Sequence, residues 1–164
     1  MKTFDVHYGR LVKGITAVTV VLLLGVVVTG VLRYRDGALE PLLMIVLPPV
    51  VLLATALFTV RRYEIDDDGL HVVRPIGRLR IARAVTSVAV DDAAGRRAVR
   101  TFGNGGLFSF NGWYWLPPYG RCRFWVTDTR HVVVLRGDRG CAAVSPAQCG
   151  AFVAAVKRRF GVAA

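Results

Sequence analysis

The segment Gly103–Gly112 is the first place to look for chemistry, because a run of glycines lets backbone amides come close to a phosphate. It reads Gly103-Asn-Gly-Gly-Leu-Phe108 and continues to Gly112. A P-loop would close on Gly-Lys-Ser or Gly-Lys-Thr, and no such pair follows. A dinucleotide fingerprint would need a third glycine where this chain has Phe108, and then a helix. A tight turn leading into an aromatic strand accounts for Gly103, Gly105 and Gly106 without any ligand. Catalytic patterns are equally sparse. His7, His71 and His131 lack ligand spacing, and no Gly-x-Ser-x-Gly elbow is present. Asp66-Asp67-Asp68 is the one carboxylate cluster; a solvated hairpin turn explains it, and the further oxygen ligands of a calcium loop are missing. Neither an enzyme nor a cofactor nor a metal is expected.

Two other groups of side chains suit binding rather than catalysis. Trp113, Tyr114, Trp115, Tyr119 and Trp125 are interrupted by Pro117–Pro118 and interleaved with Arg121 and Arg123. Aromatic residues alternating along strands fill cores, whereas Trp and Tyr beside Arg suit a membrane–water interface, and both also suit a partner protein. The run Trp113–Tyr119 is too continuous for every ring to point inward, and paired prolines cannot lie in a central strand, so some rings are expected on a loop. Arg78, Arg80, Arg83, Arg96, Arg97 and Arg100 form the other group. On one shared face they would meet anionic headgroups at about 1 kcal/mol each. The alternative is a solvated face with arginines paired to Asp91 or Asp92. The expected contact residues for lipid or a partner are these six arginines with Trp113, Trp115, Tyr119 and Arg121.

The elements that position these groups fall into two unlike parts. Gly14–Leu32 and Pro41–Val60 carry no charged side chain and are separated by only eight residues, Arg33–Glu40. At ~1.5 Å per residue they reach roughly 28 and 30 Å, the hydrocarbon thickness of a bilayer. The chain therefore reads as a two-span membrane hairpin (residues 1–62) followed by a globular domain (63–164). Pro48–Pro49 removes two donors within the second span, so a kink or local unwinding is expected there. No ionisable side chain falls inside either span, which favours an anchor over an ion path. A signal peptide fits less well: the first apolar run exceeds the usual h-region of roughly 7–15 residues, and no A-x-A-like site precedes Arg33.

Charge gives the orientation. Lys2, Arg10 and Lys13 precede the first span and Arg61–Arg62 follow the second, against Arg33 and Arg35 between them. Both termini are thus expected on the cytoplasmic side of the inner membrane. Seventeen basic and eight acidic residues follow position 60, so the distal part carries +9 of the chain's +11. Nucleic acid and anionic lipid would both be drawn to it, but attachment to a bilayer makes lipid the nearer polyanion and leaves nucleic acid unexpected. Another membrane or cytoplasmic protein is the further partner class. Cys122, Cys141 and Cys149 form no CxxC and no even-numbered framework, so all three are read as reduced, in keeping with a cytoplasmic domain.

Beyond Arg62 the pattern is that of short strands. Tyr63–Asp66 and Leu70–Arg74 flank the turn Asp67-Asp68-Gly69, and further strands are expected at Arg78–Ala82, Val85–Val90, Ala98–Phe102, Gly120–Thr127, Val132–Arg136 and Ala142–Val144. A final helix has Ser145 as its expected N-cap, Pro146 at the first position and Gln148 completing a capping box. Cys149, Phe152, Val153, Val156 and Phe160 make one apolar stripe, and Gly161 supplies the stop.

With these pieces in order, the chain resembles the bacterial pleckstrin-homology-like domain, in the form that follows two N-terminal spans. The resemblance rests on strand–Asp-Asp-Gly–strand, Phe102-Gly-Asn-Gly-Gly-Leu-Phe108 with Gly112, Val126-Thr-Asp128, and Ser145-Pro146 opening the last helix. It covers roughly Tyr63–Phe160. It implies about seven antiparallel strands in a partly open barrel capped by a C-terminal helix, and a binding or scaffolding role without catalysis. The family brings no fixed ligand and no set of functional residues to carry over, and fold alone does not fix function.

Overall fold

The computed structural model describes residues 1–34 and 39–162; Arg35 and Asp36 of the predicted inter-span loop lie outside them. In chain order the elements are β1 (Lys2–Asp5), α1 (Arg10–Arg33), α2 (Leu39–Leu57), β2 (Arg62–Asp66), β3 (Gly69–Val73), β4 (Arg78–Ala82) and β5 (Val85–Val90). There follow a single helical turn α3 (Ala94–Arg97), then β6 (Val99–Gly105), β7 (Phe110–Leu116), β8 (Gly120–Val126), β9 (Val133–Gly137), β10 (Gly140–Val144) and α4 (Cys149–Phe160).

Helices α1 and α2 are long and apolar enough to cross a membrane. They pack on each other at Gly30, where a Cβ would sit 2.9 Å from Met44 Cβ and 3.0 Å from the Pro41 carbonyl. Most of their remaining apolar surface is uncovered: Val21 is 68% and Leu22 65% exposed. A helix in the core of a water-soluble protein would bury such side chains. The helical assignment of α2 runs through Pro48 and Pro49 without a break, so the expected unwinding is absent there.

The sequence reading places no strand ahead of the first helix, yet Lys2–Asp5 is one. It pairs antiparallel with β2, from Lys2 opposite Ile65 to Asp5 opposite Arg62. Four residues with a single large apolar side chain, Phe4, carry too little alternation to be seen. The consequence is topological. One strand of the β-domain precedes the helical hairpin and its neighbour follows it.

The expected barrel of about seven strands is corrected. Among the described residues ten strands form two sheets, β1-β2-β3-β4 and β5-β9-β10-β8-β7-β6, which do not close on each other. The chain turns a corner at Arg83–Ala84, after which β5 pairs with β9 instead of β4. Tyr63, Leu70, Val72 and Ile81 of the first sheet meet Trp125, Val133, Leu135 and Val144 of the second in one buried cluster, and Phe152, Ala155 and Val156 of α4 complete it. The other face of the second sheet holds a smaller cluster with Tyr114, Leu116, Phe124 and Val126, closed by Ala94 of α3. The apolar stripe and the left-handed Gly161 stop (φ 66°) of the last helix stand as read from the sequence. Its start does not. The helix begins at Cys149, and Ser145 Oγ instead accepts the amides of Thr127 (2.8 Å) and Asp128 (3.1 Å), tying β10 to the end of β8.

Two further corrections concern chemistry. Residues Phe110–Leu116 form an internal strand that is missing from the expected strands, while Pro117, Pro118 and Tyr119 lie in the turn just past its end. Cys122 and Cys141, read as reduced, form a disulfide with Cα atoms 4.5 Å apart. Strands β8 and β10 run parallel with these two residues directly opposite, an arrangement that no local spacing announces. Cys149 stays free, and burial pushes its thiol pKa up.

Outside the first sheet lies a compact charged cluster. Glu64 and His71, opposite each other on β2 and β3, are only 4% and 6% exposed. Arg62 Nε donates to Glu64 Oε1 (2.9 Å), Arg78 Nε lies 3.2 Å from Glu64 Oε2, and Arg78 also pairs with Asp66. Arg78 Nη2 sits 3.1 Å from His71 Nδ1, a donor–acceptor contact that requires the neutral ring. Burial first, then the Arg78 guanidinium, hold His71 below its ordinary value of 6.5, against the smaller opposing pull of Asp66. The unfolded chain therefore takes up a proton that the folded one refuses, and stability falls as pH drops below about 6.5. Thermal unfolding of the protein between neutral and mildly acidic pH is expected to show this loss, and His71→Gln to flatten it. Equal slopes for the two proteins would exclude His71 as the source.

Candidate functional site

The hairpin of β6 and β7 is where the β-domain meets the two helices. Gly103 and Gly112 stand opposite each other in its register, both at positive φ (117° and 138°), and a Cβ on Gly112 would run into the Phe102 carbonyl. At the tip, Asn104 Oδ1 accepts the Leu107 amide at 3.1 Å, which bends the chain toward α1. There the Phe108 amide donates to Thr16 Oγ1 (3.0 Å), while Thr59 Oγ1 donates to the Phe108 carbonyl (3.3 Å). Asn111 Nδ2 donates to the Phe58 carbonyl at 2.9 Å, at the end of α2. Gly106 abuts Ile15, since a Cβ there would lie 2.9 Å from its Cδ1. The glycine turn is thus a docking piece between hairpin and helices.

Beside it runs a groove of about 400 Å³ between the last turn of α2 and the sheet, lined by Thr55, Phe58, Arg74, Phe102, Trp113 and Arg123 among others. One sheet face supplies its floor. In the β7–β8 register Asn111 faces Trp125, Trp113 faces Arg123 and Trp115 faces Arg121, so guanidinium groups and indoles alternate. Arg121 lies 4.3 Å from the Trp113 ring centre, and Arg123 lies 5.6 Å from Trp113 and 5.0 Å from Trp125. These are cation–π distances. Arg74, from the end of β3, reaches over the Phe58 ring at 5.8 Å. A smaller cavity of about 70 Å³ adjoins the groove through Trp113, Arg123 and Trp125, and has Arg80 in its wall. Burial, and then the charge of Arg123, push Arg74 below the ordinary arginine value.

The arginines singled out in the sequence do not gather into one strand-paired patch. Arg78 and Arg80 lie on β4 at the edge of one sheet, and Arg96, Arg97 and Arg100 lie on α3 and β6 at the far edge of the other. Arg97 is paired with Asp91, an acid the solvated-face alternative named, whereas Arg78 is paired with Glu64 and Asp66, which it did not name. Arg83 and Arg96 are exposed, and Arg100 folds back along its own strand toward the Gly103 carbonyl (3.5 Å), over Gly105. Trp115 is 53% exposed. Tyr119 sits in the turn after β7 with Arg136 at 6.0 Å over its ring. Of the expected contact residues, Trp113 lines the groove, Arg80 lines the adjoining cavity, and Arg121 stacks on the Trp113 ring without lining either. Arg74, Phe58, Phe102 and Asn111 were missed; Arg123 was noted beside the aromatics, and the alternation Arg121-Cys-Arg123-Phe-Trp125 was the signal for its face.

Among the described residues, no group of three or more His, Cys, Asp or Glu is placed to hold a metal ion. No curated protein and no solved structure matches the chain. A family model described as the bacterial PH domain matches residues 61–160. The match opens directly after α2, spans β2 to β10 and ends with the last residue of α4, while β1 and the helical hairpin lie outside it. Covering more than half of the 164 residues with the elements found in the structure, it shows that the chain belongs to the bacterial PH domain family.

Proposed function

We propose that the protein is a membrane-anchored binding or scaffolding module, in which the helical hairpin holds a PH-like domain against the inner face of the bacterial membrane. The observation that carries this reading is the β1–β2 pairing across the hairpin. A strand before α1 and a strand after α2 are hydrogen-bonded neighbours, so the chain must leave and re-enter on one side. Two uncovered apolar helices between them suit a bilayer better than water. The same pairing makes the flanking charges act together: Lys2, Arg10, Lys13, Arg61 and Arg62 on the domain side outweigh Arg33 and Arg35 between the two apolar segments in sequence. Because Cys122 and Cys141 are bonded to each other, the inner-face orientation rests on this charge bias alone. The role is binding, since the family is typically non-catalytic and the floor of arginines and indoles is built for contact.

Two measurements test it on the full chain. Membranes washed with alkaline carbonate are expected to keep the protein in the pellet, and protease added to intact spheroplasts is expected to leave the β-domain whole. Release into the supernatant would remove the anchor; digestion of the domain without lysis would reverse the orientation.

A further inference from the structure

We propose that the groove between the end of α2 and the β6–β7 hairpin binds the headgroup of an anionic phospholipid, with Arg74 and Arg123 holding its phosphate. The inference rests on the membrane-anchored reading and names the ligand of that surface.

Buried polar side-chain atoms in folded proteins nearly always have partners. Three among the described residues do not: Arg74 Nε, Arg80 Nε and Asn111 Oδ1. All three belong to residues lining this groove or the small cavity that shares Trp113, Arg123 and Trp125 with it. Their concentration in one place marks a missing partner, one that accepts from the two guanidinium nitrogens and donates to the amide oxygen. Arg74 makes no ion pair among the described residues, and it faces Arg123, a like charge. No carboxylate lines either cavity. Two guanidinium groups converging in a half-apolar groove are unfavourable alone and favourable around an anion, for which the Arg fork is well shaped.

The other wall identifies the anion as a lipid's. Ala54, Thr55 and Phe58 belong to the end of the second apolar helix, and Phe102 opposite them is 76% exposed. A soluble phosphate would leave this wall bare. A phospholipid lying along α2 places its chains against the helix and its phosphate level with Arg74. Asn111 spends both donors on Phe58 and Ser109 and keeps Oδ1 free, which suits a headgroup that carries a hydroxyl, such as phosphatidylglycerol's.

The test uses the full-length protein in mild detergent, titrated with phosphatidylglycerol or phosphatidylcholine and read by native mass spectrometry. One phosphatidylglycerol per chain is expected to stay bound, and phosphatidylcholine to be lost at the same activation energy. Arg74→Gln with Arg123→Gln should weaken retention roughly 30-fold. Arg83→Gln with Arg96→Gln removes equal charge from exposed positions and should leave retention unchanged. Should the first pair fail to fold, Arg123→Gln alone, at an exposed position, should still weaken retention. Equal losses in both pairs would reduce the effect to diffuse charge and overturn the site. Equal retention of the two lipids would overturn headgroup recognition. Displacement by inorganic phosphate as readily as by lipid would overturn the lipid source. A protein that resists carbonate extraction yet retains no phosphatidylglycerol sinks this site alone, whereas one released by carbonate sinks the anchored reading itself.

Discussion

Phe152→Ala is expected to destabilise the β-domain by roughly 3–5 kcal/mol, a large part of the ~5–15 kcal/mol that holds a typical domain. The ring is fully buried on α4 where the two sheets and the helix meet. It stands edge-on to Phe4 at 5.2 Å and to Tyr63 at 6.0 Å. Collapse into the vacated space is restricted, because Tyr63 is held from two sides: its hydroxyl donates to the Trp125 carbonyl (2.5 Å) and accepts the Ser145 amide (3.1 Å). The cavity therefore persists, and the cost takes the upper part of the range. Phe4 also loses its main aromatic neighbour, so β1 should fray first. Thermal unfolding of the full chain in detergent, followed by near-ultraviolet circular dichroism, reads the effect. Val153→Ala, half-buried one residue along, serves as the comparison and should cost much less. A loss below about 1.5 kcal/mol for Phe152→Ala would mean that the helix is not the keystone of the core.

The legibility of this fold in its sequence followed the range of the interactions that make it. The two apolar helices, the Asp67-Asp68-Gly69 turn, β4 and β5 with their bounds, and the stripe and stop of α4 all arise from patterns within a few residues. They were readable for that reason. What was missed depends on distant partners. β1 is a strand only because β2, about sixty residues later, offers an edge. Ser145 has the composition of an N-cap but sits where Thr127 and Asp128 present unpaired amides, so a long-range tie outcompeted the local one. β7 was obscured by prolines that proved to lie beyond its end. The site shows the same divide. The indoles and flanking arginines of Trp113–Trp125 were conspicuous, whereas Arg74 and Phe58 carry no local signal. They become part of a groove only when the hairpin docks on α2.

Breaking the Cys122–Cys141 bond is expected to cost about 3 kcal/mol, from the entropy the open chain regains across a loop of 19 residues. For a β-domain of this size that is a fall in Tm of roughly 12 °C or more. The purified protein should show it on treatment with a phosphine reductant, and Cys122→Ser with Cys141→Ser should match the reduced form. A shift under about 3 °C would show that β8 and β10 hold their register without the bond. The same pair reports the side of the membrane. Disulfides persist in oxidising compartments and are rare where thiol reductants are maintained. With the domain on the inner face, as the flanking charges argue, cells quenched in acid and alkylated after denaturation should yield Cys122 and Cys141 as labelled thiols, with the bond closing only after purification in air. Cys149, free in either case, provides the internal standard for complete labelling. Recovery of the bonded pair from quenched cells, beside a fully labelled Cys149, would place the domain outside and overrule five flanking cations with one covalent bond. The orientation thus hangs on the state of two sulfur atoms, and the in-cell domain is expected to be the less stable, reduced one.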